Sequence, residues 1–237
     1  MGEDIAPPGG GYAAHIDRYQ APLDPRRLKE GFDAWFGRVL PPTRSARILD
    51  FGCGRGDFLQ YAHLLGYRGI EGLDVIPDYA VALRERTGAV VHVVADSFAF
   101  LEEHRGVYDC IVAKDVLEHL PPERIIRLLA LARESLAPSG RLIVSVPHAG
   151  SPTGLYTRYL DFTHTTCFTV PSLTFAFKAA GFDAACSVSP RFAWNWRPGS
   201  LALRAAGSRW CGVLRAIVYI ERPGEPTRPP HCFNRLV

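Results

Sequence analysis

The chain contains 237 residues, of which 47% are apolar, 22% charged and 11% aromatic, with a formal net charge of +3. This balance is typical of a folded globular protein and excludes disordered and fibrous classes. No apolar run approaches the roughly 20 residues that span a bilayer, and residues 1–4 lack the basic and apolar pattern of a secretory signal. We therefore expect a cytoplasmic protein.

The six cysteines form no CxxC pair and do not cluster with histidines at zinc-ligand spacing. This usage is typical of reduced cysteines in a core. No set of His, Cys, Asp or Glu on one element has the spacing of metal ligands, so the sequence predicts no metal site.

Residues 1–22 are rich in Pro, Gly and Ala, which predicts a flexible N-terminal segment ahead of a single domain over residues 23–237. Asp24 and Pro25 are a favourable N-cap and first-turn pair for a helix. The apolar residues that follow at helical spacing predict a face that docks on other apolar residues: Leu28, Phe32, Trp35, Phe36 and Val39.

Short β-branched runs then alternate with helical stretches. The successive segments are 46–51, 58–65, 69–74, 78–85, 90–95, 108–114, 123–136 and 141–146. Such alternation indicates βαβ units around a parallel sheet with helices on both faces, an α/β doubly wound fold.

The C-terminal third is less regular. Residues 149–170 are predicted as a loop, and one more helix and strand are expected over 171–180 and 182–189. An amphipathic helix is expected over 199–222, flanked by arginines, and a last strand over 231–237.

A glycine loop follows the first predicted strand. The pattern is D-x-G-x-G-x-G, formed by Asp50, Gly52, Gly54 and Gly56. Glycine allows a sharp turn and close approach of a ligand to the backbone. A dinucleotide loop has the spacing G-x-G-x-x-G instead. The carboxylate before this loop favours a ligand that carries an ammonium or sulfonium group over one that carries a pyrophosphate.

Carboxylates also end the next two predicted strands. Asp74 follows the second strand, where an acidic residue can accept hydrogen bonds from ribose hydroxyls, and Asp96 follows the third. Ligands of open α/β sheets bind beyond the carboxyl ends of the strands. For both aspartates, helix capping or a solvated strand end is the structural alternative.

Together with the Leu117–Leu120 segment (LEHL) and the L-x-P-x-G-x-L pattern at 136–142, these features make the chain resemble class I S-adenosylmethionine-dependent methyltransferases. The resemblance covers residues 46–148 well and 161–189 loosely. It implies a seven-stranded, mostly parallel Rossmann-like sheet with an antiparallel edge strand. It also implies S-adenosylmethionine as cofactor and S-adenosylhomocysteine as product.

Carried over by position, the resemblance implies a cofactor site over residues 46–148. The methionine end would contact Asp50, Gly52, Cys53 and Gly54. The ribose and adenine would contact Asp74, Val75, Asp96 and Ser97, and Lys114 would form the floor beside the sulfonium. Cys53 is also compatible with simple packing.

Three residues are candidates for acid–base chemistry. His119 lies in the LEHL segment, where a structural role is an equal alternative, and Asp161 and His164 lie in a D-x-T-H arrangement. An imidazole oriented by a carboxylate can accept a hydroxyl proton near neutral pH. The alternative is that Asp161 caps a turn and His164 anchors the loop.

The D-x-T-H segment resembles a subgroup that acts on sugars, polysaccharides and other hydroxylated acceptors, so we expect O-methylation of a sugar or glycan-related hydroxyl. A quinone, phenol or other natural-product precursor is the alternative acceptor. A second alternative is a cofactor-binding module without catalysis. The sequence indicates no nucleic-acid partner, and the 199–222 segment is a candidate peripheral-membrane or dimer contact.

Overall fold

The computed structural model of the protein describes residues 24–151, 154–183, 186–188 and 215–221. The strands are β1 Arg47–Phe51, β2 Gly69–Asp74, β3 Val90–Val93, β4 Tyr108–Lys114, β5 Leu136–Pro147, β6 Cys186–Val188 and β7 Arg215–Glu221. The helices are α1 Pro25–Phe36, α2 Asp57–Leu64, α3 Ala80–Thr87, α4 Ser97–Glu103, α5 Pro122–Ser135, α6 Gly154–Leu160 and α7 Val170–Ala179. Short 3₁₀ turns lie at Pro77–Tyr79 and Leu117–His119.

The described strands form one sheet in the order β3-β2-β1-β4-β5-β7-β6. The first five are mutually parallel, while β7 pairs antiparallel with both β5 and β6. The α/β doubly wound class expected from the sequence is confirmed. The antiparallel strand was expected at the edge, but β7 lies one strand inside it and β6 forms the edge.

Two apolar cores cover the two faces of the sheet. Successive residues of a strand point to opposite faces, so Leu49 joins the core that contains α4, α5 and α7, whereas Ile48 joins the core that contains α1, α2 and α3. Because both faces are covered, the central strands are apolar almost throughout.

Helix α1 confirms the helix expected from Asp24 and Pro25. The side chain of Asp24 accepts hydrogen bonds from the backbone N–H groups of Arg26 and Arg27, and Pro25 occupies the first turn. Its apolar face docks on α2, with Phe36 at 5.5 Å from Phe58 between ring centroids. The α1 segment therefore completes the core on one face of the sheet.

The structure corrects three expectations. The helix expected over 199–222 does not extend through residues 215–221, which form β7. The sequence there, RAIVYIE, is rich in β-branched residues, and pairing with β5 and β6 favours the extended form. The segment expected as a loop over 149–170 contains α6, and the unpredicted helix α4 follows β3.

Other expected segments lie outside the described residues. These are the flexible segment over 1–22, the strand over 231–237 and the 199–214 part of the C-terminal helix. Among the residues that the structure does describe, no helix combines the length and apolar character needed to cross a bilayer.

Candidate active site

The glycine loop after β1 is tied to the end of β2. The backbone N–H groups of Gly52 and Cys53 both donate to the carbonyl oxygen of Leu73, at 2.8 and 3.0 Å. Gly52, Gly54 and Gly56 all have positive φ values, of 72°, 47° and 75°. The loop thus has a left-handed path that glycine tolerates without steric cost.

The three glycines differ in what surrounds them. A Cβ atom at Gly52 would lie 2.5 Å from Val116, and one at Gly56 would lie 2.0 Å from Leu83. A Cβ at Gly54 would have no heavy atom within 4 Å. Gly52 and Gly56 therefore lie against side chains of the protein, whereas Gly54 faces open space that a ligand can enter.

Asp74 connects this loop to β2. One carboxylate oxygen accepts a hydrogen bond from the N–H of Gly54 at 2.7 Å, and the other accepts from the N–H of Ile76 at 2.9 Å. Asp74 therefore has a structural role, and it lies directly beside the glycine that faces open space.

Asp50 is a buried carboxylate, with only 2% of its surface exposed. Burial raises the pKa of Asp50 to about 8, and the negative charge of Asp74 adds to this effect while Lys114 opposes it. The three residues lie at or near the carboxyl ends of the adjacent strands β1, β2 and β4. A cation placed beside Asp50 would favour its ionised form.

Burial also raises the pKa of the Cys53 thiol, and its buried position matches the packing alternative.

The remaining residues predicted for the cofactor also follow the carboxyl ends of the parallel strands. Asp96 is the N-cap of α4, where one carboxylate oxygen accepts from the N–H groups of Phe98 and Ala99. Capping, the structural alternative for Asp96, is therefore present. Ser97 begins α4, and the side chain of Val75 is 53% exposed beside Asp74.

Lys114 ends β4, and its ammonium group pairs with the carboxylate of Asp115 at 2.8 Å. Asp115 has a φ of 56°, one of two non-glycine residues with positive φ in the described chain. This ion pair neutralises the lysine next to the expected sulfonium position, where an unpaired ammonium group would repel a cationic ligand.

His119 follows β4 and is oriented by a chain of hydrogen bonds. Its Nδ1 lies 2.8 Å from the Thr163 hydroxyl oxygen, and that hydroxyl donates to the Asp161 carboxylate at 2.7 Å. Because the Thr163 proton is used on Asp161, the hydroxyl can only accept from His119, so Nδ1 of His119 carries a hydrogen. The lone pair of the neutral ring is then on Nε2.

His164 is oriented in the same sense by a different partner. Its Nδ1 lies 2.9 Å from the carbonyl oxygen of Thr157, which can only accept, so this nitrogen also carries a hydrogen. The two imidazole centroids are 4.8 Å apart. Asp161 was expected to orient His164, but its carboxylate holds His119 through Thr163, and Thr157 holds Nδ1 of His164.

The pKa values of His119 and Asp161, the two ends of this hydrogen-bond chain, are both shifted. Burial, followed by the neighbouring His164, lowers the pKa of His119. Burial acts to raise the pKa of Asp161, but the two hydrogen bonds from Thr163 and the nearby imidazoles outweigh it, so the pKa lies below its ordinary value. The site thus favours a neutral His119 beside an ionised Asp161.

A small open pocket adjoins His164. Its lining consists of Glu118, Pro147, Ala149, Gly154, Arg158, His164, Thr166 and Cys167. Glu118 is 2% exposed, and one carboxylate oxygen of Glu118 and one nitrogen each of His119 and His164 lie within 4.8 Å of one another.

The sequence predicted no metal site, because Glu118, His119 and His164 do not have the spacing of metal ligands on a single helix or strand. Folding joins these three residues from two separate segments.

Sequence reasoning missed Thr163 and Glu118 as site residues. The D-x-T pattern carried a usable signal for Thr163, because an aspartate often accepts hydrogen bonds from the residue two positions later. Glu118 had no separate signal, since its position within LEHL was read through His119 alone.

Comparison with known proteins assigns the family. A family model described as a methyltransferase domain matches residues 21–187. The match spans most of the chain, so the chain belongs to this family and is a methyltransferase.

One curated relative is the ubiquinone biosynthesis O-methyltransferase of Shewanella halifaxensis. It is 31% identical over 116 residues, which are 46% of this chain and 45% of the relative. The chain thus spans under half the length of the curated relative it matches.

Solved structures share the fold. A methyltransferase from Archaeoglobus fulgidus, described as dependent on S-adenosylmethionine, has a TM-score of 0.66 at 19% identity, covering 89% of this chain and 99% of that one. The 1,6-didemethyltoxoflavin-N1-methyltransferase of Burkholderia thailandensis, solved with its acceptor and S-adenosylhomocysteine, has a TM-score of 0.58 at 20% identity. The coverage is 94% of this chain and 93% of that one.

The raised pKa of Asp50 predicts a pH-dependent stability. Between the ordinary aspartate pKa of 3.8 and about 8, the folded protein holds a proton that the unfolded chain has lost. Stability therefore falls as pH rises through this window, by at most about 1.4 kcal/mol per pH unit. Urea unfolding at pH 5.5, 6.5 and 7.5 measures this slope.

The Asp50→Asn variant is the matched control, because it keeps the shape of the side chain without the titration. We expect the wild type to lose stability relative to this variant as pH rises. Parallel stability profiles for the two proteins would contradict the assignment.

Proposed function

We propose that this methyltransferase uses S-adenosylmethionine to methylate a hydroxyl oxygen of a small molecule. The observation that carries the proposal is the position of two groups of residues beyond the carboxyl ends of adjacent parallel strands. The glycine loop and Asp74 follow β1 and β2, and the oriented pair of His119 and His164 lies beyond the neighbouring strand β4. A cofactor and an acceptor bound at these groups would be neighbours.

The cofactor side fits a sulfonium nucleoside. Gly54 faces open space beside the carboxylate of Asp74, which suits the ribose hydroxyls, and Asp50 near the end of β1 suits the ammonium of the methionine part. The exposed side chain of Val75 offers an apolar surface to adenine, with Asp96 and Ser97 near its amino group. The cofactor supplies an electrophilic methyl group when it is bound.

On the acceptor side, the Nδ1 atoms of His119 and His164 are held by Thr163 and the Thr157 carbonyl, which leaves the Nε2 atom of each ring as the candidate proton acceptor. An acceptor hydroxyl bound beside them would transfer its proton to an imidazole while its oxygen attacks the methyl carbon. The carbon–sulfur bond breaks, its electrons remain on sulfur, and S-adenosylhomocysteine is the product. Asp161 and Thr163 keep His119 in the tautomer that this step requires.

A phenolic or quinol-type hydroxyl is the acceptor that the relative's name supports. Exposed aromatic side chains in and after α6, the helix that begins at the pocket residue Gly154, add to this support, namely Tyr156 (66%), Tyr159 (75%) and Phe162 (96%). A sugar or glycan hydroxyl, the first expectation from the sequence, is the second candidate. It is favoured by the polar groups of Glu118, Arg158 and Thr166 in the pocket.

A panel of acceptors tests the function. Incubation with S-adenosylmethionine and either catechol-type phenols or nucleotide sugars should yield a product heavier by one methyl group, together with S-adenosylhomocysteine. His119→Ala and His164→Ala should lower turnover far more than cofactor affinity. The opposite outcome is cofactor binding that the substitutions leave unchanged, with no product from either class of acceptor. This result would instead support a non-catalytic cofactor-binding module.

Substitution of Gly54 tests the cofactor side. Gly54→Ala places a methyl group in the open space and costs roughly 1–2 kcal/mol for the left-handed backbone. We expect the affinity for S-adenosylhomocysteine in calorimetry to fall at least about tenfold, which equals about 1.4 kcal/mol.

Gly88→Ala is the matched control for this experiment. Gly88 has a φ of 66° with nothing within 4 Å of a built Cβ. It precedes the amino-terminal end of β3, whereas the glycine loop follows the carboxyl-terminal end of β1. It should show a similar loss of stability and unchanged affinity. Equal affinities of the two variants would contradict the assignment of the loop.

Thr163 is a positioning residue for His119. Thr163→Val removes the hydroxyl that joins Asp161 to the ring, so turnover should fall about tenfold to a hundredfold, within the roughly 10²–10⁴ that a positioned acid or base contributes. Cofactor affinity should stay unchanged, and Thr163→Ser should restore turnover.

Thr174→Val controls for the loss of a partly buried threonine hydroxyl. Its hydroxyl donates to the carbonyl of Val170 within α7, away from the histidines. A Thr163→Ser variant as slow as Thr163→Val would show that the hydroxyl is not what matters.

A further inference from the structure

Glu118, His119 and His164 make up the cluster of metal-ligating side chains that the described part of the chain contains. We infer that these three residues bind a divalent transition-metal ion. The inference rests on the proposed function and deepens it, because the ion would lie at the acceptor side of the same site.

The composition of the cluster selects the class of ion. Two imidazoles and one carboxylate are ligands that suit Zn²⁺, Mn²⁺ or Fe²⁺ and leave further coordination positions open. Mg²⁺ and Ca²⁺ prefer sets made only of oxygen atoms. We therefore expect binding of Zn²⁺ or Mn²⁺ and weak binding of Mg²⁺.

The spacing is compatible with one shared ion after a small contraction. The three ligand atoms lie within 4.8 Å of one another. In a tetrahedral site, bonds of about 2.1 Å place neighbouring ligand atoms about 3.4 Å apart. A movement of up to about 0.8 Å by each side chain toward the ion brings the three atoms to this separation.

Hydrogen bonds around the two rings provide the independent support. A metal-ligating histidine almost always donates its other ring N–H to a carbonyl or carboxylate, which fixes the tautomer. His164 donates from Nδ1 to the Thr157 carbonyl, and His119 donates from Nδ1 to Thr163, which donates to Asp161. Both rings are thus held in the form that offers Nε2 as a ligand.

The backbone of Glu118 is also held in place. Its carbonyl oxygen accepts from the N–H groups of Thr165 and Thr166, at 2.8 and 3.0 Å. These bonds join the segment that carries Glu118 and His119 to the segment that carries His164. The three ligands therefore come from two segments that are fixed to each other before an ion binds.

The position of the pocket beside the cluster would allow a bound ion to contact the acceptor hydroxyl. Glu118 and His164 both line this pocket, and because the pocket is small, only the hydroxyl of an acceptor would enter it to occupy an open coordination position. A hydroxyl oxygen bound to a divalent ion loses its proton to water more readily. The oxygen then forms its bond to the methyl carbon as the carbon–sulfur bond breaks. In this form of the site the imidazoles act as ligands, and the proton leaves to solvent.

The test measures metal binding directly, on the full chain with any purification tag removed and after dialysis against EDTA. Calorimetry with Zn²⁺ and electron paramagnetic resonance with Mn²⁺ should each report one bound ion per chain. Pulsed resonance of the Mn²⁺ sample should show coupling to directly bonded imidazole nitrogen. Absence of a bound ion, or of nitrogen coupling in the wild type, overturns the inference without any variant.

Variants then locate the ion. Glu118→Gln and His164→Asn should each weaken binding of both metals at least about tenfold, a loss that equals about 1.4 kcal/mol. His92→Asn is the matched control, because His92 lies 3.1 Å from the Glu71 carboxylate elsewhere on the sheet. Retained affinity in both cluster variants overturns the inference, and if one variant fails to fold, the other decides.

The two proposals fail in different ways. Metal binding at the cluster with no methyl transfer to any acceptor leaves the metal site standing and removes the proposed function. Failure to bind Zn²⁺ or Mn²⁺, together with methyl transfer by the metal-free protein, removes the metal site and leaves the proposed function, with an imidazole as the proton acceptor.

Discussion

The parallel pairing of β1 with both β2 and β4 is the constraint on which the candidate site depends. Asp50 in β1 lies opposite Gly72 in β2 and Val112 in β4. The carboxyl ends of the three strands consequently lie side by side. There the Leu73 carbonyl anchors the glycine loop, and β4 leads into the turn that carries His119. A register shift of one residue would exchange the core faces of the strand and separate these groups.

The two halves of the site are held in different ways. The cofactor half is formed by short-range turns and by bonds between neighbouring strand ends, such as the bond from Gly54 to Asp74. The acceptor half depends on residues 161–166 folding back over the turn after β4. There Thr163 binds His119 across 44 residues of sequence, and the Glu118 carbonyl receives two backbone bonds. The second half therefore forms only when the tertiary fold is complete.

Two buried carboxylates make the site costly to build. Asp50 and Glu118 are each 2% exposed, and burial of an ionised carboxylate is unfavourable unless charge or hydrogen bonds compensate. The pKa of Asp50 responds to this cost by rising to about 8. Both acids lie where a cationic ligand is proposed, an ammonium group at Asp50 and a metal ion at Glu118. An ammonium group beside Asp50 would favour the ionised form that burial disfavours.

Local signals in the amino-acid order were sufficient for the α/β alternation, the cap of α1 and the glycine loop, because each depends on residues a few positions apart. They failed for α4 and α6, since a seven-residue helix has too few turns to show a period. They also predicted helix at Arg215–Glu221, where apolar residues suit either form and pairing between β5 and β6 favours a strand. Contacts across the fold selected Thr163 as the link from Asp161 to His119 and brought Glu118 beside both histidines. No spacing along the chain encodes which distant side chains meet, because that depends on how the packed segments lie against one another.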